Sequence, residues 1–199
     1  YSNKLKTAPA ANREGSGLTA PADLVGRSLV WLDTGQRPDC HEERFWFNPG
    51  EAMLIKQYLE RLRPSPLGVK RPRDRLAILT PFRRQKDTFI CELGEPYQDL
   101  VHTVDSFQGK EADIVIVSMV RTNDRVKTSG RLGFLTVYQR ANVLLSRARK
   151  LLIIVGDFHH FSAATIQEHV WNQICAEWHK VGDIVVVPPR RPTETDQAD

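Results

Sequence analysis

The chain has 199 residues, of which 41% are hydrophobic and 26% are charged, so it can bury one good core and fits one domain rather than two. Its formal net charge of +4 favours a polyanionic partner only mildly, and a solvated basic surface explains the same number. No apolar run approaches the roughly 20 residues that span a bilayer, and no signal sequence opens the chain. We expect an intracellular protein, cytoplasmic or nuclear, that is not secreted and has no membrane partner.

The three cysteines are too far apart for a disulfide framework or a zinc module, which favours a reducing compartment. Cys40-His41 and His159-His160 are two adjacent pairs rather than a ligand pattern, so no metal site is predicted. The chain begins with Tyr1 rather than Met, and we expect it to be a fragment of a longer protein.

Residues 1–26 carry Ala, Pro, Gly and Ser without a period, and they are predicted to be an extended arm or interdomain segment. Regular elements are predicted after this segment. Short apolar runs predict strands at residues 29–33, 76–79, 101–104, 113–120, 151–155 and 184–187. Apolar spacing and caps predict helices at residues 48–63, 82–93, 138–149 and 166–180. Strands that alternate with helices indicate an α/β domain with parallel pairing and right-handed crossovers.

Three stretches are predicted to lack regular structure. Residues 123–138 hold polar residues and two glycines without periodicity, which is typical of a mobile loop near a site. Residues 70–75 form a basic loop, either a solvated turn, which is favoured, or a contact to backbone phosphates. Residues 188–199 are Pro-rich and then polar and acidic, and are predicted to be a disordered tail. This leaves residues 27–187 as the folded domain.

Three segments carry unusual chemistry. Residues 101–111 read Val-His-Thr-Val-Asp-Ser-Phe-Gln-Gly-Lys-Glu, residues 142–149 read Asn-Val-Leu-Leu-Ser-Arg-Ala-Arg, and residues 79–85 read Leu-Thr-Pro-Phe-Arg-Arg-Gln. A strand that ends in polar, glycine-containing backbone, followed by a helix that ends in paired arginines before another buried strand, is typical of a phosphate site on an open α/β sheet.

These segments resemble signature motifs of superfamily 1 helicases of the nonsense-mediated-decay type. The family has Val-Asp-x-Phe-Gln-Gly-x-Glu before Asn-Val-Ala-Leu-Thr-Arg-Ala, and Thr-Pro-Tyr-Arg-x-Gln upstream of both. The resemblance continues in residues 133–135 and at Arg140, and it covers roughly residues 28–157. It implies a RecA-like α/β fold, with a mostly parallel sheet and helices on both faces, and the C-terminal (second) motor domain of an ATP-dependent DNA or RNA helicase.

The resemblance also implies a nucleotide-facing set. Arg147 corresponds to the catalytic arginine finger, a planar and permanently charged group that stabilises the transferring phosphoryl group. Gly109, Lys110, Glu111 and Arg149 are implied to face the cofactor. The alternatives are that Arg147 and Arg149 cap a helix end and that Glu111 forms a surface ion pair. The family pattern is altered at Leu144, where it has Ala, and at Ser146, where it has Thr.

A second implied set contacts a single strand of DNA or RNA, since hydroxyl and backbone donors at the ends of strands can line a groove. The set comprises Thr80, Pro81, Phe82, Arg83, Thr103, Asp105, Ser106 and Asn142. The alternatives are helix capping by Thr80 and turn formation by Ser106. Trp171 and Trp178 share a helix face and are predicted to be core residues rather than a base-stacking surface.

The sequence has no Gly-x-x-x-x-Gly-Lys-Ser/Thr motif and no acidic pair at the end of a strand. We therefore expect ATP and Mg²⁺ to be bound mainly by an N-terminal RecA-like domain of the same protein, and we expect this chain alone to be inactive. The alternative from another class is a non-catalytic nucleic-acid-binding module derived from a helicase.

Overall fold

The computed structural model describes residues 18–62, 76–166 and 169–190. Its strands are β1 Leu29–Asp33, β2 Leu76–Thr80, β3 Val101–Thr103, β4 Ala112–Ser118, β5 Ala148–Gly156 and β6 Asp183–Val186. They form one sheet in the order β3-β2-β4-β5-β1-β6, in which every neighbouring pair is parallel. The predicted α/β, RecA-like fold with a parallel sheet is confirmed.

Helices cover both faces of this sheet. The α-helices of the described ranges are α1 Pro49–Leu62, α2 Arg83–Leu93, α3 Thr128–Leu132, α4 Tyr138–Leu145, α5 Phe158–Ser162 and α6 Val170–Val181. The first two pack on one face, against strand residues such as Ile78 and Ile153. Helices α4, α5 and α6 pack on the other face, against residues such as Leu79 and Ile154. Because successive strand residues point to opposite faces, an apolar run such as β4 is buried on both sides.

Helix α1 begins where the sequence predicted. The side chain of Asn48 accepts the amide of Glu51 at 3.1 Å, which satisfies one of the donors that a helix start leaves open. Pro49 occupies the first turn, where its missing amide hydrogen costs no hydrogen bond. The cap and the proline together fix the residue at which this helix starts. The Asn48 side chain also donates to the Val120 carbonyl at 3.4 Å, which holds the helix start beside the carboxyl end of β4.

The core beneath α5 and α6 is aromatic. The ring of Trp31 in β1 meets Phe158 edge-on at 5.0 Å and Trp178 edge-on at 5.5 Å. Trp171 and Trp178 are 0% and 4% exposed, so their prediction as core residues is confirmed. No helix within the described ranges is both long enough and apolar enough to cross a membrane.

Several predicted elements differ from the structure. The helix predicted for residues 166–180 begins at Val170, and the strand predicted for residues 113–120 ends at Ser118. Two differences are larger. The helix predicted for residues 138–149 ends at Leu145, because the following residues join the sheet, where Ala148 pairs with Ala112 of β4. The mobile loop predicted for residues 123–138 contains α3 and a 3₁₀ turn, Gly133–Thr136. The buried guanidinium of Arg121 holds this segment through the carbonyls of Gly130 and Arg131. Most of the arm (1–17), the basic loop (70–75) and most of the tail (191–199) lie outside the described residues.

Candidate functional site

Parallel strands put all their amino ends at one edge of the sheet and all their carboxyl ends at the other. The predicted site residues other than Asn142 lie at these two edges. At the amino edge the loop of residues 109–111 leads into β4, and Arg147 precedes β5. At the carboxyl edge lie Thr80, Pro81, Phe82, Arg83, Thr103, Asp105 and Ser106. The seven residues of β4 separate the two edges by about 20 Å.

The guanidinium of Arg147 lies against the loop before β4. Its Nη1 donates to the carbonyl of Lys110 at 3.2 Å, its Nε to the carbonyl of Val143 at 3.2 Å, and its Nη2 to Ser146 Oγ at 2.8 Å. The amide of Ala112 donates in return to the Arg147 carbonyl at 3.1 Å. Since an arginine side chain has five N–H donors, two remain beyond these three contacts for an anion.

These contacts bear on both interpretations of Arg147. The bond to Val143 satisfies a carbonyl of the last turn of α4, which is the helix-capping role. The bond to Lys110 brings together two motifs that are 37 residues apart in the chain. The finger role therefore stays a prediction.

Arg149 is placed differently from the sequence-based expectation of a position on the same helix as Arg147. It lies in β5, where backbone pairing replaces the helix. Its Nε donates to Asp113 at 3.0 Å, and Lys150 approaches the same carboxylate at 3.8 Å. The guanidinium of Arg149 is about half exposed. Its backbone therefore lies beyond the end of α4, and a contact of its side chain with the nucleotide stays a prediction.

The loop between the 3₁₀ turn Asp105–Phe107 and β4 is open to a ligand. Gly109 has φ +81°, a conformation that residues with a side chain rarely adopt. A Cβ atom added there would meet no atom within 4 Å. The side chains of Lys110 and Glu111 are exposed. The loop therefore offers accessible backbone, one cation and one carboxylate beside Arg147.

At the carboxyl edge, Thr103 and Ser106 form a local turn. Ser106 Oγ donates to the Thr103 carbonyl at 2.9 Å, and the two hydroxyl oxygens lie 3.1 Å apart. Asp105 is exposed and forms an ion pair with Arg140 of α4 at 3.6 Å. The turn formation weighed from the sequence is present, and it leaves both hydroxyls on the surface.

Two residues of the strand-binding set are buried. Thr80 is 0% exposed, and its hydroxyl accepts the Phe82 amide at 3.3 Å rather than capping α2. The ring of Phe82 is 1% exposed, so it has no face open to a base. Pro81 is half-buried, and Arg83 is exposed. In the described conformation Arg83 is the most accessible member of this segment.

Asn142 is not gathered with the other strand-binding candidates. It lies on α4 and lines a groove of about 660 Å³ with Val170 and Ile174 of α6. Arg140, two residues earlier and so on a different side of α4, is the residue of this helix that reaches Asp105.

An aromatic cluster that was not predicted from the sequence lies beside Phe82. Trp46 and Phe134 cover this buried ring, with both centroids 5.8 Å from that of Phe82. Trp46 is 38% exposed and Phe134 is 45% exposed. The signal for the first was the run of three aromatic residues at Phe45, Trp46 and Phe47, next to an arginine. Phe134 was recognised only as part of a family motif.

A buried polar network was also missed. Gln85 Nε2 donates to the Asn48 carbonyl and to Ser118 Oγ, both at 3.0 Å, and its Oε1 accepts the Asn48 amide at 2.7 Å. The hydroxyl of Ser118 reaches Glu51 at 2.6 Å. The glutamine of the Thr-Pro-Phe-Arg-Arg-Gln motif therefore joins the start of α1 to the end of β4, directly beneath the carboxyl edge.

The residues present suit part of a nucleotide site. Arg147, Lys110 and the Gly109 backbone supply the cations and close approach that phosphates need. Within residues 18–62, 76–166 and 169–190, no three His, Cys, Asp or Glu side chains cluster as metal ligands would. Contact of Arg147, Lys110 and Gly109 with ATP therefore stays a prediction.

Comparison with known proteins places the chain in a family. A family model described as "AAA domain" matches residues 1–159, which include both edges of the sheet. The chain belongs to this AAA domain family. This match and the relatives named as helicases agree with the helicase resemblance of the sequence motifs.

Three of the relatives are named as helicases. The chain is 28% identical over 93% of its length to the probable helicase senataxin of Homo sapiens. It is 31% identical over 65% of its length to the DNA polymerase alpha-associated DNA helicase A of Saccharomyces cerevisiae, and 35% identical over 57% to the human RNA helicase Mov10l1. The chain spans only 7%, 19% and 10% of these three proteins, respectively.

Proposed function

We propose that this chain is the second RecA-like motor domain of an ATP-dependent helicase that acts on single-stranded DNA or RNA. The observation that carries the proposal is the bond from Arg147 to the Lys110 carbonyl, which joins both nucleotide-facing motifs at the amino edge. The strand-facing motifs lie about 20 Å away at the carboxyl edge. ATP and Mg²⁺ are then bound mainly by an N-terminal RecA-like domain of the same protein.

In this proposal Arg147 acts as an arginine finger. Its side chain exchanges the carbonyls of Val143 and Lys110 for the oxygens of the transferring phosphoryl group, where negative charge develops. A planar guanidinium can bond two such oxygens at once, which a lysine cannot. Glu111, Arg149 and the Gly109 backbone complete the nucleotide-facing surface.

The carboxyl edge forms part of the groove for the single strand. Thr103 and Ser106 present hydroxyls on the surface, and Arg83 adds an exposed cation, which are the groups that position phosphates. The names of the relatives include a DNA helicase and an RNA helicase, so both kinds of strand stay open for this chain.

The test is Arg147→Lys in the protein that unites this chain with its first motor domain. ATP and nucleic acid should bind nearly as before, because most ground-state contacts come from the other domain. Steady-state turnover should fall roughly 10³-fold or more, because the lysine keeps the charge and loses the fork. The matched control is Arg61→Lys, at an exposed arginine on α1 that stacks on Tyr58, which should leave turnover unchanged.

Thermal melts of both variants separate the outcomes. Intact turnover with a small loss of melting temperature would reduce Arg147 to a helix cap. A wild-type protein that binds single strands but hydrolyses no ATP would instead support the non-catalytic binding module.

A further inference from the structure

A strained turn displays aromatic rings at the carboxyl edge. The amide of Glu43 donates to the Phe47 carbonyl at 2.7 Å, which closes a short hairpin. At its tip Phe45 and Trp46 have φ +73° and +66°, a left-handed conformation that is strained for bulky residues and that they rarely adopt. Phe45 is 67% exposed. The turn thus holds large apolar rings toward solvent at a conformational cost.

The ring of Trp46 is held in place by packing. Its centroid lies 5.4 Å from that of Phe134 in an edge-on contact, and both rings rest on the buried Phe82. The guanidinium carbon of Arg121 lies 5.7 Å from the Trp46 ring and 5.8 Å from the Phe82 ring. Because Arg121 is 1% exposed, this cation is a fixed part of the support rather than a mobile surface group.

Arginines surround the exposed rings. Arg140 stacks over Phe134 at 5.3 Å, Arg84 over Phe47 at 5.3 Å, and Arg44 over Phe45 at 5.0 Å. The nearby acids have partners of their own: Glu42 binds Arg121 at 2.6 Å, Glu43 bonds to His41 at 2.8 Å, and Asp105 pairs with Arg140 at 3.6 Å. An aromatic surface with a cationic rim matches the bases and phosphates of a nucleic-acid strand better than it matches a neutral apolar peptide.

We propose that Trp46 and Phe134 form a stacking platform for the bases of a single strand that crosses the carboxyl edge. Phe82 connects this platform to the proposed strand-binding residues. Its ring supports Trp46 and Phe134, and its backbone lies between β2 and Arg83. This inference depends on the proposed function, in which a single strand crosses the carboxyl edge. The platform adds base contacts to a surface whose other contacts are to phosphate and sugar, and stacking of this kind tolerates any base sequence.

The test uses the tryptophans of the chain as reporters. Trp31, Trp171 and Trp178 are at most 4% exposed, so Trp46 dominates the fluorescence that an oligonucleotide can quench. Addition of an oligothymidylate should quench this emission. An abasic oligonucleotide of equal length should quench little and bind more weakly, because it offers phosphates without bases. Equal binding of both with no quenching would overturn the platform and leave the groove in place.

Variants give a second measurement. Trp46→Ala and Phe134→Ala should each weaken the anisotropy-monitored affinity for oligothymidylate by roughly 5- to 100-fold, and Trp46→Phe should restore most of it. The abasic oligonucleotide should respond little to either variant. Tyr138→Ala, at a 63% exposed aromatic that lines the groove between α4 and α6, is the matched control and should bind as wild type does.

Unchanged affinity in both alanine variants, with melting temperatures preserved, would overturn the proposal and assign the rings to contact with a protein neighbour. Failure of the wild-type chain to bind either oligonucleotide would overturn the platform and the groove together. Neither result would change the proposed role of Arg147 as an arginine finger, because the turnover assay tests that role separately.

Discussion

Glu51 is a carboxyl group with no exposed surface, held by polar contacts at the start of α1. Its oxygens accept the Val120 amide at 3.1 and 3.0 Å and the Ser118 hydroxyl at 2.6 Å. Burial raises the pKa of Glu51 to about 8, although the hydrogen bonds from Ser118 and the backbone oppose this rise. Val120 itself has φ +71°, so Glu51 also helps to hold a strained residue in place.

Glu51→Gln should change the pH dependence of stability. The folded protein keeps a proton on Glu51 up to about pH 8, whereas the unfolded chain releases it near the ordinary pKa of 4.5. The stability that the protonated group contributes is therefore complete at low pH and is lost as the pH rises through this window. Urea denaturation of both proteins at about pH 5 and pH 8 should show wild type losing stability relative to the variant.

His160 does not confuse this comparison. Burial lowers its pKa to about 4, so its contribution to stability falls as the medium becomes more acidic, in the opposite direction. Because both proteins contain His160, its effect cancels in their difference. A constant difference across the range would mean that Glu51 stays ionised in the folded protein.

The sequence predicted half of this residue-level arrangement. The Asn48 and Glu51 spacing is a local signal, because a cap and its partner lie three residues apart on one turn. Ser118 and Gln85 could not be predicted as partners of α1, because only the assembled sheet brings them within bonding distance. The same reason explains why Trp46 and Phe134, 88 positions apart, were not recognised as one surface.

At the scale of elements, the first turn of α1 is packed directly on backbone. A side chain added at Gly50 would collide with the Asp39 carbonyl and lie 2.8 Å from the Cα of Cys40. Backbone cannot move aside as a flexible side chain can. The glycine therefore sets how closely α1 approaches the loop that leads to the aromatic turn.

Gly50→Ala should lower the free energy of unfolding by about 2 kcal/mol or more, because overpacking against fixed backbone outweighs the gain in helix propensity. The matched control is Gly130→Ala in α3, where the added group would meet only the side chain of Arg125, at 3.1 Å. Chemical denaturation of both variants measures the contrast. Equal stability of the two variants would show that the Asp39 loop yields at little cost.

Element boundaries mark where sequence patterns stop being informative. Residues 146–150 lack a breaker such as Pro or Gly, so helical spacing appeared to extend to Arg149. The helix ends earlier because Ala148 pairs with Ala112 in the sheet. A strand that joins the sheet satisfies backbone groups that a fraying helix end leaves open. The strand β1, whose apolar run is short and isolated, was predicted to the residue.

At the scale of the whole molecule, the proposed division of labour predicts that the purified 199-residue chain hydrolyses no ATP. The physical reason is that the sequence has no Gly-x-x-x-x-Gly-Lys-Ser/Thr motif to hold the phosphates, so the proposed finger Arg147 needs a nucleotide that the other domain binds. A phosphate-release assay with and without single-stranded nucleic acid measures this. Strand-stimulated turnover by the pure chain would contradict the prediction, and the same assay on chain joined to its first motor domain is the positive control.

The parallel sheet with its sites at opposite edges also has a mechanical meaning. A sheet buried on both faces is stiff, because its strands are hydrogen-bonded side by side and clamped between two layers of helices. We expect such a domain to rotate as one rigid body. A tilt of about 10° pivoted at the amino edge would carry the carboxyl edge, about 20 Å away along β4, through roughly 3.5 Å. In the proposed helicase, this displacement would be comparable to the rise between stacked bases, so a small rotation of the whole domain would shift a bound strand without an internal rearrangement.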